Sequence, residues 1–134
     1  MNCKIQKSKL NGRITCPSNK SYTHRAIFLA ALSDGKSIVK KILRSNDTLA
    51  TISACRGFGV EVEEVEDKVT INNTIDSTVE NSMINAENSG TTIRIAIAIA
   101  ALSGGNTTLT GDESLKKRPM QPILDSLETM GVKT

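Results

Sequence analysis

A chain of 134 residues, 38% hydrophobic and 23% charged, is long enough for one domain with a real core. Its aromatics are Tyr22, Phe28 and Phe58 alone, so the core must be aliphatic, and base stacking, the usual hold on single-stranded nucleic acid, is nearly absent. The net charge of +3 is unevenly spread: residues 1–46 carry ten Lys or Arg and one acidic residue, while 47–90 carry two basic and nine acidic residues, so the basic third points to an anionic partner.

The N-terminus, MNCKIQKSKLNGR, is polar and basic and lacks the apolar stretch of a secretory leader. The longest apolar run, IAIAIAAL at 95–102, falls well short of the roughly 18 residues that cross a bilayer. Cys3, Cys16 and Cys55 are odd in number and share no ligand spacing, so neither a disulfide framework nor a metal site is expected. Reduced thiols in a cytoplasmic protein are the simplest reading.

Along the chain, a short strand and a loop lead into a helix at about 21–32, with Ser21 as its cap. Asp34-Gly35 turns into a strand at 36–42. A helix at about 47–57 follows, capped by Asn46 or Asp47 and stopped by Gly59. VEVEEVE (60–66) alternates as a strand, and Asp67-Lys68 turns it back into VTINN as a hairpin. The second half repeats the order: strand 83–86, helix 91–102, strand 106–110 and helix 119–130, the last with Pro119 in its first turn. IRIAIAIA alternates with period two, but its Ala content and its likeness to 25–32 favour a buried helix.

The repeat itself is read from RAIFLAALSDGKSIV (25–39) against RIAIAIAALSGGNTTL (94–109), and from ISACRGFGVEV (52–62) against ILDSLETMGVKT (123–134). Glycines 35 and 105 match, as do 59 and 131. Each unit reads β-α-β-α-β-β, giving an α/β (α+β) fold whose second unit stops as its next strand begins. A truncated piece or fragment of a longer protein is therefore expected.

Three cationic helix starts are candidate sites. In SNKSYTHRA (18–26), Lys20, Ser21 and Arg25 surround a helix N-terminus, whose free N–H groups and dipole favour an anion. In NSGTTIR (88–94), Asn88, Ser89 and Thr91 offer hydrogen bonds, Gly90 lets a ligand approach the backbone, and Arg94 takes the place of Arg25 in the repeat. In GDESLKKRPMQP (111–122), Lys116, Lys117 and Arg118 precede a helix. His24, the single histidine, is expected to face solvent or act as a cap. The acidic run EVEEVED (61–67) reads as the wet face of a strand.

At these residues the sequence resembles the 5-enolpyruvylshikimate-3-phosphate synthase family (3-phosphoshikimate 1-carboxyvinyltransferase). PSNKSYTHRAIFLAAL looks like that family's P-G-S-K-S-x-S-x-R-A segment, NSGTTIR like its N-A-G-T-x-x-R, and GDESLKKRPMQP like its G-x-x-x-(M/L)-x-x-R-P. The resemblance implies transfer of the carboxyvinyl group of phosphoenolpyruvate to the 5-hydroxyl of shikimate 3-phosphate, without a cofactor or metal, in the shikimate pathway. By motif, Lys20, Ser21 and Arg25 would contact shikimate 3-phosphate. Lys20, Asn88, Gly90, Thr91 and Arg118 would contact phosphoenolpyruvate, with Lys20 catalytic and Asp47 and Arg94 in support. Neither nucleic acid nor membrane is an implied partner; the missing C-terminal part of the same enzyme is.

The resemblance also implies an inside-out arrangement, with helices inside and sheets outside. Residues 1–17 would belong to the enzyme's second domain, 18–76 to a first unit and 77–134 to a truncated second unit. Asn19 departs from the family's usual Ser, and Ile95 stands where many members have Pro. No residue here can be assigned as the acid or base of the reaction, so the chain alone is expected to bind rather than turn over. Alternatives are a non-catalytic anion-binding fragment and the sister UDP-N-acetylglucosamine enolpyruvyl transferase, whose loop Cys is absent from GDESLKKRP.

Overall fold

A computed structural model describes residues 3–76, 79 and 81–134. In chain order the elements are α1 (Lys20–Leu32), β1 (Ser37–Val39), α2 (Asn46–Gly57), β2 (Val62–Val65), β3 (Lys68–Ile71), β4 (Ser82–Asn85), α3 (Gly90–Ala100), β5 (Thr107–Thr110), α4 (Glu113–Lys116) and α5 (Gln121–Thr129). The mixed α/β repeat is as the sequence suggests. The expected unit boundary after 76 abuts residues 77 and 78, which lie outside the described residues.

β1, β3 and β2 form an antiparallel sheet in that order, and β4 pairs with β5 in parallel. The hairpin from β2 to β3 turns at Glu66-Asp67, one residue earlier than predicted, and Glu66 takes the positive φ of 51°. Helices α1, α2 and α3 pack on one another and each touches a strand. Ile27, Phe28, Ala31, Ile52, Cys55, Phe58, Ile71, Ile84, Ala96 and Ile99 fill the space between helices and sheets. A second cluster sets Ile93, Ile97 and Leu115 against Ile123, Leu124 and Leu127 of α5. Cys55 sits in the first core, where burial pushes its thiol up to about 12, too high for a reactive thiolate.

IRIAIAIA is helical, as its Ala content demands: Thr92, Ile93, Ala96, Ile97 and Ile99 are buried, and only a stripe through Thr91, Arg94 and Ala98 is exposed. Gly35 and Gly59 take φ of +78° and +79°: Gly35 turns the chain toward β1 and Gly59 follows the end of α2, both as predicted.

Several boundaries differ from the sequence reading. The strand expected before α1 does not form: residues 3–19 contain neither helix nor strand, because no ladder partner lies beside them among the described residues. Asn19, not Ser21, caps α1, its side chain accepting from the Tyr22 N–H, which places Ser21 inside the first turn. Ser45, not Asn46 or Asp47, caps α2 in a capping box with Thr48. α4, capped by Asp112, was not foreseen, since a single turn has no periodicity to read. α5 starts at Gln121 with Pro122 in its first turn, leaving Pro119 in the connection before it.

Candidate functional site

A cleft of about 590 Å³ opens where the N-termini of α1, α2 and α3 meet the ends of β4 and β5, lined by Lys20, Asp47, Asn88, Gly90, Thr91, Arg94, Ile95 and Arg118. It lies beyond the carboxyl ends of two parallel strands, the usual place for a ligand in such sheets. Two backbone bonds hold the strand exits together: Ala86 N–H donates to Thr110 O at 2.9 Å and Asp112 N–H to Glu87 O at 2.8 Å.

On one wall Lys20 Nζ stands 2.7 Å from Asp47 Oδ2. The pair exists because Ser45 caps α2. With the cap role filled, Asp47 sits free in the first turn and its carboxylate reaches across to α1. The pair is half-open, with side-chain exposures of 50% and 30%, so it orients Lys20 and contributes little to stability.

On the other wall, Arg118 Nη2 donates to Asn88 Oδ1 at 2.5 Å, and Asn88 Nδ2 donates to Asp112 Oδ2 at 2.6 Å. The other oxygen of Asp112 accepts the Leu115 N–H at 2.7 Å as the cap of α4. These bonds, the Leu115 N–H first and the Asn88 amide next, hold the Asp112 carboxyl below its ordinary range, so it stays ionised and fixes the amide orientation. The short helix α4 is thus what aims Arg118.

Arg94 donates to Gly90 O at 3.3 Å and to Pro119 O at 3.4 Å. Neither Arg94 nor Arg118 pairs with a carboxylate among the described residues. Both converge on Gly90: a Cβ there would lie 2.8 Å from Arg118 Nη1 and 3.0 Å from Arg94 Nη1. Two guanidiniums and a lysine beside the free N–H groups of a helix start make an anion site, with one carboxylate to hold the lysine.

The cleft gathers Lys20, Asp47, Asn88, Gly90, Thr91, Arg94 and Arg118 from the residues singled out in the sequence. Ser21 and Arg25 do not line it. Arg25 lies along its own helix, its Nε donating to Ser21 O at 3.1 Å and its guanidinium 5.0 Å from the Tyr22 ring centre. The repeat register explains this: Arg25 is six residues past its cap (25 − 19) and Arg94 five past its own (94 − 89), so the two leave their helices about 100° apart. By helix register Arg94 corresponds to His24. Of the Lys116-Lys117-Arg118 run only Arg118 enters the cleft; Lys116 pairs with Glu113 at 3.0 Å.

His24 is fully buried, not solvent-facing or a cap, and its Nδ1 lies 2.6 Å from Thr51 Oγ1. Burial lowers its pKa, Asp47 opposing and Lys20 adding to the effect, so the ring is neutral near pH 7. Thr51 and Thr92, also fully buried, were missed by the sequence reading. The available signal was Thr92 on the otherwise apolar face of α3, and Thr51 beside Ala50, Ile52, Ala54 and Cys55 on α2.

No helix among the described residues is long and apolar enough to cross a membrane. The family model described as "EPSP synthase (3-phosphoshikimate 1-carboxyvinyltransferase)" matches residues 5–134. The 3-phosphoshikimate 1-carboxyvinyltransferase of Nitrosopumilus maritimus is 55% identical over 131 residues, covering 98% of this chain and 31% of the relative. That of Methanothermobacter thermautotrophicus is 42% identical, covering 98% of this chain and 32% of the relative. Among solved structures, the EPSP synthase from Acinetobacter baumannii superposes with a TM-score of 0.78 at 33% identity, over 91% of this chain and 28% of that one. The chain thus spans about a third of the length of these relatives. Over that third it belongs to the EPSP synthase (3-phosphoshikimate 1-carboxyvinyltransferase) family.

Proposed function

We propose that this chain forms one wall of the substrate cleft of an enzyme that transfers the carboxyvinyl group of phosphoenolpyruvate to the 5-hydroxyl of shikimate 3-phosphate. The observation that carries the reading is the convergence of Arg94 and Arg118 on Gly90, neither with a carboxylate partner among the described residues. A phosphate or carboxylate seated there would receive charge-assisted hydrogen bonds from both guanidiniums and from Lys20.

In this reading Lys20, Asn88, Gly90, Thr91 and Arg118 face phosphoenolpyruvate, with Asp47 and Arg94 in support. Lys20, Ser21 and Arg25 face shikimate 3-phosphate, with Lys20 shared between the two ligands. Lys20 is the catalytic group: its ammonium stabilises charge developing on the transferring unit, and Asp47 holds it in place. The proton given to the phosphoenolpyruvate methylene and the proton taken from the attacking hydroxyl are assigned to no group here. The chain is read as binding without turning over, in a cytoplasmic pathway enzyme whose other wall comes from further sequence. Residues 1–17 are read as part of that enzyme's second domain, 18–76 as the first β-α-β-α-β-β unit and 77–134 as part of the second.

Titration of the chain with phosphoenolpyruvate and shikimate 3-phosphate, followed by amide NMR, tests this. Shifts concentrated at Lys20, Gly90, Thr91 and Arg118 with the first ligand, and spreading to Ser21 and Arg25 with the second, are expected. No shift with either, or shifts with oligonucleotides alone, would overturn it.

A further inference from the structure

One helical turn beneath the cleft lies a buried chain of side chains. His24 Nδ1 is 2.6 Å from Thr51 Oγ1, which is 2.7 Å from Thr92 Oγ1, which donates to Ser89 Oγ at 2.7 Å. All four residues are at most 1% exposed. Each sits directly behind a cleft residue: His24 is four past Lys20 on α1, Thr51 four past Asp47 on α2, and Ser89 and Thr92 flank Gly90 and Thr91 on α3. Residues four apart share a helix face, so ordering one row orders the other.

We propose that His24, Thr51, Thr92 and Ser89 form a one-way hydrogen-bonded positioning relay that locks the N-termini of α1, α2 and α3 in register, holding Lys20, Asp47 and Gly90 opposite one another. The direction follows from counting protons. A hydroxyl has one proton to give. Thr92 gives its own to Ser89 at 2.7 Å in preference to Asp47 O at 3.4 Å, so it accepts from Thr51. Thr51 gives its proton to Thr92 at 2.7 Å in preference to Asp47 O at 3.4 Å, and so accepts from His24 Nδ1. The imidazole therefore carries its proton on Nδ1. Its Nε2, buried and with no hydrogen-bond partner among the described residues, is then a lone pair and not a stranded N–H. The charged groups facing the ring are Asp47 of α2 and Lys20 of its own helix. These residues touch no ligand; they act through the helix starts they hold.

The relay's service to ligand binding rests on the anion-site reading above, and the test separates the two. Nitrogen NMR of His24 in the 134-residue chain is expected to show the Nδ1–H tautomer; an Nε2–H tautomer would overturn the relay's direction. Thr92→Val keeps the shape of the side chain and removes the hydroxyl. It is expected to shift the Lys20 and Gly90 amides and to weaken phosphoenolpyruvate binding about tenfold, while Thr92→Ser stays within about twofold of the parent. Unmoved amides and parental affinity in a folded Thr92→Val would overturn the proposal. Thr51→Val cuts the chain one link earlier and replaces Thr92→Val should that variant not fold. If the parent binds no phosphoenolpyruvate, the anion-site reading fails, and the His24 tautomer and the amide shifts still decide the relay.

Discussion

At the start of α1 the cap is Asn19 and the first helical residue is Lys20; at the start of α3 the cap is Ser89 and the first residue is Gly90. Both caps accept a backbone N–H three residues on, at Tyr22 and Thr92. From there the two diverge. The first start sends a cation across to the Asp47 carboxylate and folds Arg25 back over Tyr22. The second has no side chain at its first position, and two guanidiniums, Arg94 from one turn further along α3 and Arg118 from beyond α4, close over the gap. One helix start contributes a positioned charge and its repeat partner contributes a seat. The difference arises from one residue of register in where the Arg falls, together with the exchange of Lys for Gly.

The largest expected effect comes from emptying the seat. Arg118→Ala removes a charged donor held by Asn88 and Asp112, and loss of about 1.5–3 kcal/mol corresponds to phosphoenolpyruvate binding weakened about 10- to 100-fold by calorimetry. If the two starts were equivalent, a change at α1 away from Lys20 would cost as much.

Filling the seat is milder. In Gly90→Ala the new methyl group meets the mobile ends of Arg94 and Arg118, so the arginines shift and the fold does not. Binding of phosphoenolpyruvate should weaken about tenfold, the effect of displaced contacts, with stability changed by no more than about 1 kcal/mol in urea. A large loss of stability with unchanged affinity would place the strain in the fold instead of the site.

The smallest effect concerns the buried histidine of α1. His24 has its pKa lowered by burial, so below its ordinary value of 6.5 the unfolded chain binds a proton that the folded chain resists. Stability should be fully present above pH 6.5 and should fall as pH drops below it toward the folded value. Urea midpoints from pH 7.5 to 5.5 measure this, with a His24→Gln variant showing a flatter profile over that window. Equal slopes in the two proteins would mean that His24 does not stay buried and neutral.

Much of this architecture is legible in the sequence, because it rests on local rules. Gly35 marks a turn and Gly59 a helix end, VEVEEVE alternates, and the 70-residue repeat shows that the ambiguous IRIAIAIA is a helix. The caps shift by one or two residues because SNKS and RSND each offer several side chains able to accept the same N–H, and only the packing of the helix selects one. Pro119 and Pro122 pose the same choice for α5. The cleft residues were legible as a set, but Arg25 and Arg94 looked equivalent until the caps fixed their helical angles. The relay was not legible as a set, since His24, Thr51 and Thr92 meet across 27 and 41 residues of sequence.

The most direct test of this division between a positioned charge and an anion seat is a side-by-side calorimetric titration of phosphoenolpyruvate into Arg94→Ala and Arg25→Ala. Arg94→Ala should lose about tenfold or more in affinity, and Arg25→Ala should stay within about twofold of the parent. Equal losses in the two variants, or a larger loss in Arg25→Ala, would contradict it.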